Sequence, residues 1–545
     1  MAGIEGTTKT SKNDERTNTI GLAISGGIKV AATGGAATMR GFQQQTITIN
    51  GEKRPAMEAF DFISGLSGGV VPTLLYPYAQ NVTTEELLDS DYRLDDPSQI
   101  TPQALDRKTS KPTLFDNAVE SATFKSLPMI IYGLFCCKLH SIFTLVQWFA
   151  TLDPFGIKRD QKISPHPHPT EKKTIGPRPG IKAIPLVNFM AMGKADGVAQ
   201  DTIEGYFKLV TKLKEKYGNQ FVETDQLMQL IRDVDDPDLF IPFIASPTDV
   251  RNAMPDSEWN QINVNSIPTS EWGGNDTSCS VEFFLGMATN FVGMGGIQEE
   301  VESFQYEFLR KLSQKRTVRL EHGSKTKKEM LFVDGGFIDG LGVPALVQRK
   351  VRTIIATIWP HGLARDYEEH YEKAKGKNLD VWLEHAVDLA FGDIASYFGY
   401  YKDYAWYKNR MFEDGRARLE QLRNDVDTLY EAGKPIVVTM KGLKTINNPF
   451  WGIEQGHTVD LTIIYWTLPK DFAEKVPIES VPPPIDETTG KPMNKLDKTG
   501  RSFTNEEFKD FPNFPGKSNF EYSNKFLSIY KFTCLTRRQA NMSGR

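Results

Sequence analysis

The chain has 545 residues and a formal net charge of −5, from 64 lysines and arginines against 69 aspartates and glutamates. Its hydrophobic fraction of 39% and charged fraction of 24% exclude wholesale disorder, and the near balance of charge excludes a general attraction to nucleic acid. The four cysteines, of which Cys136 and Cys137 are adjacent, exclude a disulfide scaffold and favour a reducing compartment.

The N-terminal segment, residues 1–18, is polar and has no apolar core of a signal peptide. Ala2 stands where N-myristoylation requires glycine. We therefore expect a disordered tail on a cytoplasmic protein, with residues 19–545 forming a single catalytic domain.

The first ordered unit is predicted over residues 20–32, where a short apolar run leads into Gly26 and Gly27. This pattern is typical of a strand, a tight turn and a helix. Successive glycines let backbone N–H groups approach a ligand, and acyl transfer needs such donors at the developing oxyanion. Lys29 adds a cation suited to a phosphate or carboxylate. A nucleotide phosphate loop is disfavoured because the spacing of its glycines and lysine is absent.

The second unit carries a candidate nucleophile, Ser67. An apolar strand over residues 59–64 precedes Gly65-Leu66-Ser67-Gly68-Gly69, and a helix is predicted from Val70. The five residues match G-x-S-x-G, in which small neighbours allow a serine to sit on a strained strand-to-helix turn. The alternative is a glycine-rich turn with a structural role only.

The longest apolar stretch covers residues 127–150. It approaches the length of a membrane-spanning helix, but Pro128, Lys138, His140 and Gln147 interrupt it. A buried helix pair is therefore predicted, and peripheral contact with a lipid surface through this stretch is the alternative.

The loop predicted over residues 160–182 contains His166 and His168. Further ligands close to these histidines are not evident, so neither a metal site nor a cofactor is predicted.

A third strand-turn unit spans residues 331–347 and contains Asp334-Gly335-Gly336. A carboxylate at the end of a strand can face a cleft, where it orients a base or acts as one. Asp339 is the rival for that role, and a solvent-exposed turn aspartate is the structural alternative. Buried strands are also predicted over 351–358 and 459–465, so the alternation of strands and helices indicates an α/β fold with a mainly parallel sheet.

Residues 366–432 are charged, helical in pattern and rich in aromatic side chains around 397–407. A core location is favoured for these aromatics, with a lipid–water boundary as the alternative.

Together, these units resemble the catalytic domain of cytosolic phospholipase A2 and fungal lysophospholipase (phospholipase B), within the patatin-like acyl hydrolases. Ile24–Lys29 is similar to the glycine-rich loop S-G-G-G-x-R, and Gly65–Gly69 to the elbow G-L-S-G-[SG]. Val333–Pro344 is similar to the family's aspartate motif, and residues 511–514 and 520–522 to its C-terminal F-P-x-F and F-x-Y.

The resemblance implies a three-layer α/β/α fold and a calcium-independent serine–aspartate dyad. Ser67 would attack the acyl ester, and Asp334 would take its proton without a histidine. Gly26 and Gly27 would hold the oxyanion. Lys29 stands where the family has a phosphate-binding arginine, and Arg349 is the nearest match to a second one.

The expected reaction is hydrolysis of a fatty acyl ester of a phospholipid or lysophospholipid through an acyl-serine. A cap or lid insertion is expected at about 101–275, and a helical insertion at about 366–432. Two alternatives stay open: an α/β-hydrolase with a Ser67–Asp334–His457 triad, and an inactive lipid-binding protein.

Overall fold

The structure is a computed structural model. The residues that it describes are 19–49, 51–92, 97–99, 101, 111–114, 148–171, 173–192, 215–216, 222–223, 240–255, 262–272, 279–289, 314–319, 325, 328–358, 373–386, 391–401, 408–466 and 477. The tail expected at 1–18 and the family-like segments at 511–522 lie outside these ranges.

Strands and helices alternate along the described chain. The strands are β1 (Ile20–Ile24), β2 (Thr46–Ile49), β3 (Glu52–Pro55), β4 (Phe62–Leu66), β5 (Lys162–Ile163), β6 (Thr174–Ile175), β7 (Ile184–Met192), β8 (Val222–Glu223), β9 (Phe240–Ala245), β10 (Asp249–Pro255), β11 (Ile262–Pro268), β12 (Gln314–Val318), β13 (Lys328–Asp334), β14 (Thr353–Ile358), β15 (Tyr400–Tyr401), β16 (Ile436–Lys444) and β17 (Thr458–Tyr465). The helices are α1 (Ile28–Gln44), α2 (Val70–Tyr78), α3 (Thr84–Leu88), α4 (Thr269–Trp272), α5 (Val281–Ala288), α6 (Val343–Gln348), α7 (Leu379–Ala386), α8 (Phe391–Tyr397) and α9 (Gly415–Glu431).

An 11-stranded mixed sheet organises the fold, in the order β11-β10-β9-β7-β4-β1-β14-β17-β16, with β13 paired to β7 and β12 to β13. The five central strands, from β7 to β17, run parallel to one another. The remaining pairings in this sheet are antiparallel. The predicted α/β class with a mainly parallel central sheet is confirmed.

Two hydrophobic cores cover the two faces of this sheet. Along β1, Leu22 and Ile24 belong to one buried cluster, and Ala23 belongs to the other. Successive side chains of a strand point to opposite faces, so the clusters lie on opposite sides. Helices α1 to α5 contribute to the first cluster and α6 to α9 to the second, which makes the fold a three-layer α/β/α arrangement.

The expected boundary of the cap insertion requires a correction. Strand β7 pairs with β4 inside the sheet, and β9, β10 and β11 extend the sheet beyond β7. Residues 184–192, 240–245, 249–255 and 262–268 are therefore part of the central sheet rather than of a cap at 101–275. The apolar run of β7, Ile-Pro-Leu-Val-Asn-Phe-Met-Ala-Met, suits a strand with helices on both faces.

Most of the apolar stretch at 127–150 lies outside the described residues. Its end is described at Trp148, whose indole N–H donates to the Ile157 carbonyl at 2.8 Å and whose ring contacts Arg159. Among the helices of the described ranges, none is long and apolar enough to cross a membrane.

Three aromatic side chains of the cluster at 397–407 are buried. Tyr397, Phe398 and Tyr400 belong to the cluster formed by α6 to α9. This burial agrees with the core interpretation for these three residues, while Tyr404, Trp406 and Tyr407 lie outside the described ranges.

A buried ion pair joins the end of α6 to the start of β10. Arg349 Nη2 lies 3.0 Å from Asp249 Oδ1, with side chains only 6% and 16% exposed. Burial by itself raises the pKa of Asp249, but Arg349 and Arg251 outweigh it, so the net pKa lies well below its usual range. This pair connects two segments that are distant in the sequence, and the Asp249 carboxylate balances the buried positive charge of Arg349.

Asp249→Ala is expected to lower the free energy of unfolding by about 3–5 kcal/mol, because it leaves the Arg349 charge buried without its partner. The matched control is Glu454→Ala, which removes an exposed ion pair with Lys350 (side chains 74% and 61% exposed). The control is expected to cost roughly 0–1 kcal/mol. Urea denaturation measures both, and equal losses would contradict a stabilising role for the buried pair.

Candidate active site

Ser67 lies on a strained turn between β4 and α2. Its φ of 49° falls in the left-handed region, which few residues other than glycine adopt, and the side chain is only 8% exposed. Glycine is required beside it, since a Cβ at Gly69 would lie 2.6 Å from the Ile24 carbonyl oxygen. A Cβ at Gly65 would lie 2.6 Å from the Gly69 carbonyl oxygen. These close approaches give the turn the geometry predicted for a nucleophile elbow.

Asp334 ends β13 and faces the serine. Its Oδ2 accepts a hydrogen bond of 2.5 Å from Ser67 Oγ, and its Oδ1 accepts one of 2.9 Å from the Gly336 N–H. The residue is 4% exposed. The structure therefore brings together the two residues that the sequence analysis selected as nucleophile and base.

Strand β7 explains why Ser67 and Asp334 meet. Strand β4 runs parallel along one edge of β7 and ends with Leu66 opposite Asn188. Strand β13 runs antiparallel to β7 and ends with Asp334 opposite Phe189. Since β9 occupies the other edge of β7 at these positions, β4 and β13 share one edge and their carboxyl ends meet head to head.

A buried amide holds this junction. Asn188 Nδ2 donates to Ser64 Oγ and to the Gly65 carbonyl, both at 2.8 Å, and Ser64 Oγ donates to the Gly342 carbonyl at 2.7 Å. The network connects the elbow to the loop that follows Asp334. Sequence reasoning missed Asn188, although a single polar residue inside an apolar strand was a usable signal.

Asp339, the rival base, serves a different purpose. Its carboxylate accepts hydrogen bonds from Tyr397 Oη at 2.5 Å, from the Leu341 N–H at 3.2 Å and from the Gly342 N–H at 2.6 Å. Burial raises its pKa to about 6, and these hydrogen bonds oppose the rise. Ser67 donates to Asp334, so Asp334, and not Asp339, is the carboxylate that lies against the serine.

The glycine-rich loop lies beside the serine. A Cβ at Gly26 would lie 3.3 Å from Ser67 Cβ, so the backbone of the loop passes close to the serine. The Gly26 N–H, however, donates to the Gly340 carbonyl at 2.9 Å. Gly27 is the N-cap of α1, with a φ of 138°. Lys29 lies in the first turn of α1, and its side chain lies outside the described residues.

Two helix N-termini point at this site. Helix α1 begins directly after the glycine-rich loop, and α2 begins after the elbow. Neither helix has an acidic residue in its first turn. Their N-terminal partial positive charges therefore favour negative charge at Ser67, as an oxyanion would carry.

Arg349 and His457 lie at the N-terminal ends of the parallel strands, opposite to the end where Ser67 lies. Arg349 follows α6 and reaches Asp249, while the His457 ring contacts the Val351 carbonyl at 3.3 Å. Both residues precede strands that run parallel to β4, whereas Ser67 follows the end of β4. Roughly 16 Å, the length of one strand, therefore separates each of them from Ser67. The phosphate role expected for Arg349 and the triad role expected for His457 do not fit this placement.

Comparison of the sequence with protein-family models and with curated proteins gives no match. Among solved structures, human GIVD cytosolic phospholipase A2 is similar with a TM-score of 0.43 at 10% identity, covering 96% of this chain and 61% of the other. A human GIVD cytosolic phospholipase A2 in complex with methyl gamma-linolenyl fluorophosphonate inhibitor and terbium chloride gives 0.36 at 10% identity, over 96% and 58%. The chain thus spans about three-fifths of the length of these structures, and at these TM-scores the likeness carries no functional argument.

The raised pKa of Asp339 predicts how the free energy of unfolding changes with pH. Raised from 3.8 to about 6, this pKa makes the neutral carboxyl the form that favours folding. The neutral carboxyl therefore contributes roughly 3 kcal/mol to the free energy of unfolding. This contribution is complete below about pH 4 and is lost as the pH rises through 6. Relative to Asp339→Asn, the wild type should therefore lose stability between pH 4.5 and 7.5, as measured by denaturant titration.

The exposed residue Asp380 supplies the control substitution for this experiment, Asp380→Asn. A wild type whose stability changes with pH in parallel with Asp339→Asn would contradict the raised pKa.

Proposed function

We propose that the protein is a serine lipid acyl hydrolase that works through a Ser67–Asp334 dyad. The observation that carries this proposal is the 2.5 Å hydrogen bond from Ser67 Oγ to Asp334 Oδ2 on a buried, strained elbow. A structural turn would not need a left-handed serine aimed at a carboxylate.

The proposed reaction has two halves. Ser67 Oγ attacks the ester carbonyl carbon as its proton passes to Asp334, and the tetrahedral oxyanion forms beside Gly26 and Gly27. Collapse of this intermediate releases the alcohol, which takes the proton from Asp334 and leaves an acyl-Ser67. Water, deprotonated by Asp334, then attacks the acyl carbon, and Ser67 recovers its proton as the fatty acid leaves.

The Gly27 N–H is the simpler oxyanion donor in this arrangement. The Gly26 N–H already donates to the Gly340 carbonyl, so it must exchange that acceptor for the oxyanion or share its hydrogen between the two. The N-termini of α1 and α2 add to the stabilisation because they face the same point.

The substrate class proposed is a phospholipid or lysophospholipid. Support comes from the motifs at Ile24–Lys29, Gly65–Gly69 and Val333–Pro344, which resemble those of lipid acyl hydrolases. Lys29 would act as a point charge for the phosphate and lacks the bidentate fork of arginine. A cytoplasmic enzyme acting on such a substrate needs local contact with a lipid surface, for which residues 127–150 are the proposed segment.

The dyad predicts the labelling of Ser67 by a serine-reactive fluorophosphonate probe. Ser67→Ala should abolish labelling, and Asp334→Asn should slow it by at least about 10³-fold, because the base that takes the serine proton is lost. His457→Ala is the matched control and should label at close to the wild-type rate. Mass spectrometry of the adduct and gel fluorescence give the site and the rate.

A folded wild type that stays unlabelled would overturn the enzymatic proposal and favour an inactive lipid-binding protein. A loss of about 10⁴-fold in His457→Ala would instead favour the triad.

The substrate proposal predicts release of a free fatty acid and a lysophospholipid from phosphatidylcholine that carries two different acyl chains. Ser67→Ala and Asp334→Ala should release neither product, because both halves of the reaction need the dyad. Lipid mass analysis identifies which chain leaves. Wild-type protein that hydrolyses a short-chain ester but neither phosphatidylcholine nor lysophosphatidylcholine would contradict the substrate class while keeping the dyad.

A further inference from the structure

The loop that joins Asp334 to α6 touches both parts of the catalytic site. At its start, Asp334 accepts the hydrogen bond of Ser67. Near its end, the Gly340 carbonyl accepts the N–H of Gly26 in the glycine-rich loop. The position of this one loop, residues 335–342, therefore sets the geometry of the base and of an oxyanion donor together.

Asp339 shapes the second half of this loop from the inside. Its two carboxylate oxygens accept the N–H groups of Leu341 and Gly342, the two residues that follow Gly340. Asp339 is 1% exposed, so these bonds form away from solvent. The Asp339 carboxylate thereby fixes the turn that presents the Gly340 carbonyl to Gly26.

Helix α8 holds the Asp339 carboxylate in turn. Tyr397, fully buried at the end of α8, donates its hydroxyl to Asp339 Oδ1 at 2.5 Å. The same helix packs so closely on the loop that a Cβ at Gly340 would overlap the Asp393 carboxyl. Asn409 adds a hydrogen bond of 2.6 Å from its Nδ2 to the Ile338 carbonyl.

We propose that Asp339 and Tyr397 form a positioning pair for the dyad, an inference that rests on the proposed hydrolase function. Neither side chain contacts Ser67 in the structure; they act through the backbone of residues 335–342. Tyr397 keeps the Asp339 carboxylate oriented, Asp339 keeps the turn closed, and the turn keeps Asp334 and Gly26 in register with the nucleophile.

Tyr397→Phe tests the pair because it removes one oxygen and leaves the ring that fills the core. Catalytic groups displaced by about 1 Å lose up to 10²-fold in rate, so kcat on a short-chain ester and the fluorophosphonate labelling rate should fall between roughly tenfold and a hundredfold. KM should change less than twofold, since substrate contacts are untouched. The matched control is Tyr78→Phe, a buried tyrosine of α2 whose hydroxyl has no hydrogen-bond partner within the described structure; it should keep the wild-type rate.

A double-mutant cycle with Asp339→Asn asks whether the two residues act as a unit. If Tyr397 acts through Asp339, the double variant should be no slower than the slower single variant by more than about twofold, whereas independent effects would multiply. Circular dichroism and the denaturation midpoint confirm that each variant is folded at the assay temperature.

The outcomes separate this inference from the function on which it rests. A wild type without labelling or esterase activity overturns the hydrolase proposal itself. A wild type that is active while folded Tyr397→Phe matches it in kcat and labelling rate overturns only the positioning pair. Multiplicative losses in the cycle also overturn the pair, because they show that Tyr397 does not act through Asp339.

Discussion

The site depends on two strands that end against each other along one edge of β7. Strand β4 runs parallel to β7 and ends at Leu66, so that Ser67 follows directly. Strand β13 runs antiparallel to β7 and ends at Asp334, opposite Phe189. The hydrogen-bond ladder with β7 fixes both registers. A slip of one residue in β13 would turn the Asp334 side chain to the opposite face of the sheet and away from the serine. The distance between Ser67 Oγ and Asp334 Oδ2 is thus a consequence of backbone pairing, which explains how residues 267 positions apart meet within 2.5 Å.

The helix N-termini beside this junction favour negative charge at Ser67. The helices that follow β1 and β4 both begin close to Ser67, so the N–H groups of their first turns favour negative charge there. The elbow and the dyad are almost fully buried, and charge–dipole interactions are stronger away from water. A carboxylate can act as a base for serine in such a place, because the alkoxide or oxyanion that develops is stabilised by fixed backbone dipoles rather than by solvent.

Local signals in the sequence located the glycine-rich loop, the elbow and Asp334, because each depends on a few consecutive residues with special backbone or side-chain requirements. The apolar runs also located β1, β14 and β17 to within a few residues. The partners of strands are not local. Residues 184–192 fall within the expected cap insertion although β7 belongs to the sheet, and the antiparallel pairing of β7 with β13 is decided by packing between segments far apart. Chain order alone likewise allowed Arg349 as a phosphate ligand and His457 as a triad member. Only the direction of β14 and β17 shows that both residues lie at the end of the strands opposite to Ser67.

Asp334 and Asp339 show why geometry decides between two carboxylates in one motif. Both are buried, Asp334 ends the strand that Asp339 follows, and the pKa of Asp339, about 6, would suit a general base at neutral pH. Yet its oxygens accept hydrogen bonds from a tyrosine and two backbone amides, which orient it towards α8 and the turn. Asp334 accepts one amide and keeps its other oxygen for Ser67. The same five-residue spacing therefore places one carboxylate against Ser67 and the other against α8 and the turn, so the loop between them is held at both ends.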